Sequence, residues 1–279
     1  MGKANGRRSI FITGAASGMG RETARLFAGK GWYVGGYDVN ADGLKTLEQE
    51  IGFDNCKTGL LDVTLRDKYA KALAEFTAET GGKLDILYNN AGIGRGGAFA
   101  EQPFEDVVAT VQVNFMGVLI GIYEAIPLLK ATPDSLCFTT SSSSATFGMA
   151  GIAVYSATKH AVKGLTEALS IEFARHGIRV ADTLPGLIDT AILRMTPNRT
   201  DSRTADETET LLANAPKKGA FRLMPPRAVA EAVWAAYGSD KLHWNVPPEI
   251  AWIDRIKGFA PELMRKRIKK TVRGITGDV

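Results

Sequence analysis

Cysteine is nearly missing from this chain: Cys56 and Cys137 are the two in 279 residues. They stand far apart and match no zinc, disulfide-scaffold or CxxC redox spacing. Histidine is as sparse, and His160, His176 and His243 are too scattered to form a metal site. No metal is expected. There is no internal repeat, domain linker or low-complexity tract. No secretory leader and no eighteen-residue apolar span stands out, so a cytoplasmic location is expected. The opening Met1-Gly2-Lys3-Ala4-Asn5-Gly6 lacks the serine or threonine of a myristoylation signal. Net positive charge is also missing from most of the chain. Residues 255–273 hold eight basic residues and one acid, Glu262, and so carry +7. With +4 for the whole chain, everything else sums to −3, which excludes a nucleic-acid-binding core.

What is present is a repeating α/β pattern. A hydrophobic content of 45% over this length supports one large core and a single domain, residues 1–279. The periodicity predicts strands near 8–13, 32–37, 56–61, 84–88, 134–140, 178–184 and 242–246. Helices are predicted near 18–29, 41–50, 65–79, 104–130, 153–175 and 226–237. Such alternation implies parallel strands joined by right-handed crossovers, with ligands at the strands' carboxyl ends.

Tyr155 and Lys159 stand four apart in Val154-Tyr155-Ser156-Ala157-Thr158-Lys159, which places them one turn apart on one helix face. An ammonium beside a phenol favours the phenolate, so the Tyr155 pKa is expected to fall from about 10 toward neutrality. A phenol tuned this way exchanges a proton with a carbonyl or alcohol oxygen. Ser142, at the end of a preceding strand, is placed to bond the same oxygen. It belongs to a run, Ser141 to Ser144, and Ser141 is the alternative. Alone, Tyr155 and Lys159 also read as an ordinary amphipathic pair.

Ser9-Ile10-Phe11-Ile12-Thr13 reads as a buried strand, and Arg21 to Ala28 as a helix. Between them lies Gly14-Ala15-Ala16-Ser17-Gly18-Met19-Gly20. Glycines permit a tight turn and close backbone approach, and the helix N-terminus offers free N–H groups to a phosphate. The second strand ends at Asp38, an acid placed to accept from both hydroxyls of an adenosine ribose and to repel a 2′-phosphate. Ser17 stands where a basic residue would hold that phosphate. Both favour NAD over NADP. Asp38 also reads as a turn residue before Asn40.

Thr13-Gly14-x-x-x-Gly18-x-Gly20, Asn89-Asn90-Ala91-Gly92, Asn114, Ser142, Tyr155-x-x-x-Lys159 and Pro185-Gly186 occur in this order. Over roughly residues 7–240 the chain resembles the short-chain dehydrogenase/reductase family. The resemblance implies a single doubly wound Rossmann-like domain with a seven-stranded parallel sheet and helices on both faces. It implies Tyr155 as catalytic acid/base, Lys159 lowering its pKa and holding the nicotinamide ribose, and Ser142 positioning the substrate oxygen. Asn114 would bind a relay water. Gly14, Ser17, Gly18, Met19, Gly20 and Asp38 would hold the cofactor from one side. Asp62 with Val63, and Asn90, Ala91 and Gly92, would line the adenine side and the cleft. Pro185, Gly186, Ile188 and Thr190 would face the nicotinamide carboxamide. Structural readings compete: Asn114 as a helix kink, Asp62 as a helix cap, Asn89 and Asn90 as turn residues.

Two segments depart from the regular pattern. Residues 189–225 form a long insertion, read as a substrate lid with Ile192, Leu193, Met195, Leu211, Leu212 and Phe221 as an apolar face, or as ordinary helix core. Residues 247–279 form a basic extension. In its tail Met264, Ile268 and Val272 follow at i, i+4, i+8, a stripe that packs on protein or lies on an anionic membrane. The tetramer contact of many family members is in doubt, and a homodimer through helices 104–130 and 153–175 is expected, with a tetramer as the alternative.

The substrate reads as a small apolar alcohol or ketone, walled by Ile93, Gly94, Ser144, Met149, Ile152, Leu187 and Met195, with Arg95 and Arg194 unplaced. The function expected is NAD(H)-dependent interconversion of an alcohol and its ketone. An epimerase or dehydratase of the same fold and a non-catalytic NAD-sensing protein are the rivals. The glycine spacing opposes the first, and Asn114, Ser142, Tyr155 and Lys159 together oppose the second.

Overall fold

The computed structural model describes residues 2–200, 205–266 and 269. Seven strands form one all-parallel sheet in the order β3-β2-β1-β4-β5-β6-β7. These are β1 (Ser9–Thr13), β2 (Tyr33–Asp38), β3 (Cys56–Leu60), β4 (Ile86–Asn89), β5 (Leu136–Thr140), β6 (Arg179–Pro185) and β7 (His243–Val246). Each lies within two residues of its sequence expectation. The helices are α1 (Gly18–Gly29), α2 (Ala41–Ile51), α3 (Arg66–Glu79), α4 (Phe104–Val111), α5 (Gly117–Ala131) and α6 (Ala153–Glu172). They continue as α7 (Ala191–Met195), α8 (Ala205–Ala213), α9 (Pro226–Tyr237) and α10 (Ile250–Phe259).

β1 shows why the sheet is covered on both sides. Alternate residues of a strand point to opposite faces. Ile10 and Ile12 enter one core with Phe27 of α1, Leu47 of α2 and Val233 of α9. Phe11 enters the other with Phe76 of α3, Ile122 of α5 and Val162 of α6. A strand apolar on both faces needs helices on both faces. β1 lies between β2 and β4, so the chain order reverses there and a crevice opens at the carboxyl ends. Gly14, Asp38, Asn90 and Ser142 all follow or close those ends.

Three expectations need correction. The helix expected over 104–130 is α4 and α5 joined by a π turn, Gln112–Met116, with Asn114 buried inside it. The stretch Phe104–Ala131 is also long and apolar enough to cross a membrane by length and composition, contrary to the sequence reading. Here it serves as a core helix: Val118, Ile122, Ala125 and Leu129 pack against the sheet. The tail stripe fares differently again. Met264 is buried, while Ile268 and Val272 lie outside the described residues. The 189–225 insertion contains α7 and α8. The Leu211 side chain lies outside what is described.

Candidate active site

A cleft of about 300 Å³ lies along the carboxyl ends of β1, β2 and β4. Gly14 and Gly18 have φ of +69° and +53°, where a side chain is strained. Gly20 is required by contact: a Cβ there would collide with the Gly14 carbonyl oxygen and stand 2.7 Å from Asn90 Nδ2. α1 can therefore start close behind the loop. Ser17 makes no side-chain cap to its first turn. Helix N–H groups without a side-chain acceptor, at the mouth of a cleft, suit a pyrophosphate.

The cleft is lined by Gly14, Ser17, Gly18, Met19, Asp38 and Val39. Leu61, Asp62, Val63, Asn90, Ala91, Gly92, Ile93 and Thr190 complete most of the wall. Asp38 Oδ2 accepts from Ala16 N at 3.0 Å and Oδ1 from Asn40 N at 3.0 Å, so it braces the glycine loop while facing the cleft. Asn40, not Asp38, caps α2. Asp62 is not a helix cap: its Oδ1 accepts from Thr64 N at 2.9 Å in a local turn, and Leu65 occupies the cap of α3. Thr190 faces the loop across the cleft, since a Cβ on Gly18 would stand 3.0 Å from its Cγ2. This donor set fits a dinucleotide.

Asn90 is more than a turn residue. Its Nδ2 donates to the carbonyls of Thr13 and Gly14, at 3.0 and 3.1 Å. Its Oδ1 accepts from Tyr88 and Thr140 hydroxyls, both at 3.2 Å. Three strand ends are tied at one amide.

Past Gly92 the cleft meets the reactive groups. A Cβ on Gly92 would stand 3.2 Å from Asn114 Oδ1 and 3.8 Å from Lys159 Nζ. Asn114 clamps the next residue both ways, accepting from Ile93 N at 2.8 Å and donating to Ile93 O at 2.9 Å. A π turn is a common place for such a residue. The serine run resolves cleanly. Ser142 lies beside Tyr155, where its hydroxyl acts to lower the phenol's pKa, and its Oγ accepts from Ser144 N at 3.1 Å. Ser141 is turned away, and its hydroxyl donates to Lys159 O at 3.1 Å.

The expected fall of the Tyr155 pKa is not seen. Burial pushes the phenol up, and Ser142 opposes this only in part. Lys159 Nζ lies 5.6 Å from the Tyr155 ring centre and donates to Thr140 O at 2.8 Å. Burial lowers Lys159 itself to about 8, with Asp182 opposing. Desolvation is the largest influence on each group.

Of the apolar wall, Ile93 lines the cleft. Gly94, Met149, Ile152 and Leu187 are half-buried. Four of the expected site residues are not among those lining this cleft. Ser144 is buried beneath the turn after β5. Ile188 packs its side chain with Val229 and Val246 in a small separate core. Pro185 is buried, and Gly186 abuts Ile250, with a Cβ there 3.1 Å from Ile250 Cδ1. The Met195 side chain lies outside what is described.

The 189–225 insertion sits on the loop after β4. Gly96 N donates to Pro197 O at 2.8 Å, and Arg199 N to Gly96 O at 3.0 Å. Gly94 must be glycine because a Cβ would collide with Thr196. Asp106 of α4 joins the two segments, accepting from Arg199 Nε at 2.7 Å and Arg95 Nε at 3.1 Å. These guanidiniums, Arg199 first, hold its carboxyl below the usual range. Arg194 is paired with Glu209 and Asp189. Neither Arg95 nor Arg194 is a free cation.

Comparison with known proteins matches this architecture. The family model described as short chain dehydrogenase covers residues 8–201. The chain belongs to the short-chain dehydrogenase family. Family membership makes it an oxidoreductase. A cyclohexanol dehydrogenase from Acinetobacter sp. (strain SE19) is 33% identical over 185 residues, 66% of this chain and 74% of that relative. A short-chain dehydrogenase/reductase from Burkholderia phymatum, solved in complex with NAD, superposes with TM-score 0.79. It is 24% identical and covers 94% of this chain and 96% of its own. An alcohol dehydrogenase from the archaeon Thermococcus sibiricus, complexed with 5-hydroxy-NADP, gives TM-score 0.70 at 23% identity, covering 85% and 94%. At these identities both structures speak to the fold.

Within this family frame, three contributors escaped sequence reading. Thr13 Oγ1 accepts from both Asn90 N and Ala91 N at 3.1 Å, pinning the loop after β4. Asp106 ties the 189–225 insertion to the loop after β4. Asp182, fully buried in β6, supplies the charge facing Lys159, with His243 Nδ1 2.7 Å from its Oδ1. An acid inside the apolar run Val180 to Leu184 was the available signal for Asp182.

Proposed function

We propose that this enzyme interconverts a small apolar alcohol and its ketone with NAD(H), using Tyr155 as general acid/base. The observation that carries this reading is Tyr155 between Ser142 and buried Lys159, whose Nζ lies 5.6 Å from the Tyr155 ring centre, at the end of a dinucleotide-shaped cleft. A nicotinamide bound there supplies the hydride acceptor or donor. The chain's own residues handle the oxygen. Ser142 orients it by hydrogen bonding, and Tyr155 gives or takes its proton. The raised phenol pKa keeps Tyr155 in its acid form, ready to donate to a ketone. Asn114 fixes the Ile93 backbone at the cleft wall and Lys159 the polarity of its floor. A spectrophotometric screen of NAD and NADP against alcohols and ketones tests the reading. Absence of any turnover across apolar members would overturn it.

An apolar substrate fits the pairing of Arg95 and Arg194 with carboxylates, which leaves neither guanidinium unpaired to recruit an anion. The lid tie gives a separate test. Asp106→Asn should loosen both arginines and raise KM by about fivefold or more, with kcat changed about twofold or less. An unchanged KM would show that the tie does not govern substrate access.

Asp38 in the cleft wall, with Ser17 opposite, supports NAD over NADP. The expected preference in kcat/KM is at least about tenfold, roughly 1.4 kcal/mol. Asp38→Ala should also disturb the loop by freeing Ala16 N and Asn40 N. The informative quantity is therefore the NAD/NADP ratio, which should narrow. A wild-type enzyme that prefers NADP removes this role for Asp38.

The assembly we infer is a homodimer. Phe104, Val108 and Val111 lie at i, i+4, i+7 on α4 and are exposed, as are Tyr123 on α5 and Ile171 on α6. Isolated surface apolar residues are ordinary, but an aligned set on adjoining helices suits a two-fold contact.

A further inference from the structure

We propose that α10 and the helical turn after it, residues 261–266, form a docking surface for an anionic lipid membrane. Trp252, Ile256 and Phe259 stand at i, i+4, i+7 on one face of α10 and are 62%, 41% and 92% exposed. Leu263 follows at 63% exposed. The inner face is anchored: Ile250 is fully buried, and Asp254 Oδ2 is 3.6 Å from Lys163 Nζ of α6. The outward apolar set is therefore a fixed feature of the fold. It replaces the stripe that the sequence suggested, since Met264 of that stripe points inward.

Charge selects the occupant. Arg255 packs over Trp252, with its guanidinium carbon 5.1 Å from the ring centre. Lys266 and Lys269 lie on the same short segment, with Lys257 and Arg265 at the rim of its inner side and Arg265 paired with Glu262, within the stretch 255–273 that carries +7. A second copy docked two-fold on this face would bring an equal positive charge against it. An anionic leaflet supplies the complementary charge and a medium for tryptophan, phenylalanine and leucine at its interface. On the inner side, Phe147 and Met264 line a cavity of about 220 Å³ beside the loop that follows Ser142. Contact through α10 therefore holds this side of the molecule near lipid.

The test uses the full chain, sedimented with phosphatidylcholine vesicles or with vesicles that also contain phosphatidylglycerol. At low salt, at least about tenfold more protein should pellet with the anionic vesicles, and the difference should vanish at high salt. The pair Trp252→Ser and Phe259→Ser should abolish pelleting without moving the thermal midpoint, because both side chains are exposed. The pair Arg265→Gln and Lys266→Gln should weaken it in the same direction. The proposal is overturned if wild-type protein stays in the supernatant, pellets equally with neutral vesicles, or pellets unchanged after the aromatic substitutions. It is equally overturned if those substitutions break a larger assembly, seen by light scattering, in protein that binds no vesicles. No outcome involves turnover, so failure here leaves the dehydrogenase reading untouched.

Discussion

Tyr155→Phe is expected to lower kcat by at least about a hundredfold, the usual scale for losing a positioned acid/base. NADH binding, read from cofactor fluorescence, should stay within about twofold. The substitution keeps the ring and removes one hydroxyl, which lies beside Ser142. The protein should stay folded, since a single hydrogen bond contributes about 1 kcal/mol net. The combination matters: lost turnover with intact cofactor binding separates a chemical role from a packing role. Near-normal turnover in purified Tyr155→Phe protein would remove Tyr155 from the mechanism.

Lys159→Met is the second large effect. Turnover should again fall at least about a hundredfold, now with weaker cofactor binding, because Lys159 Nζ lies at the junction of cleft and reactive groups. The stability consequence has a definite sign. Burial lowers the ammonium from 10.5 to about 8, so the folded state releases this proton more readily than the unfolded chain. Below pH 8 the folded protein bears the full cost of a buried cation, on the order of 3 kcal/mol at roughly 1.4 per pKa unit. That cost is relieved as pH rises from 8 to 10.5. Wild type should therefore gain stability relative to Lys159→Met across this window, by about 3 kcal/mol. Denaturant midpoints at three or four pH values measure it. Losing the bond to the Thr140 carbonyl costs the variant a pH-independent amount, which leaves the slope unaffected. Parallel pH profiles for the two proteins would refute a depressed Lys159.

Alternating strand and helix signals along the chain, with glycines where β1 turns into α1, implied a parallel α/β sheet. Both signals are local, because side-chain alternation and the steric freedom of glycine depend on a residue and its neighbours. The same holds for Tyr155 and Lys159, which helical spacing alone puts on one face. Ser142 and Ser141 mark the limit of that reasoning. They are identical residues side by side, and only the path of the chain after β5 turns one to Tyr155 and the other to the backbone of α6. The sign of the Tyr155 shift was misread for a related reason. Four-residue spacing predicts proximity, but the phenol's proton affinity depends first on burial and then on Ser142, which arrives from a strand end. The tie to the 189–225 insertion joins Asp106 to Arg199, 93 residues apart, and no pattern along the chain connects them. Composition alone located the basic tail, whereas packing of Ile250 and Met264 decided which of its apolar residues remain outside. Local geometry thus sets the elements and the motif spacing. Burial, long-range pairing and the fields they create exist only once the chain has folded.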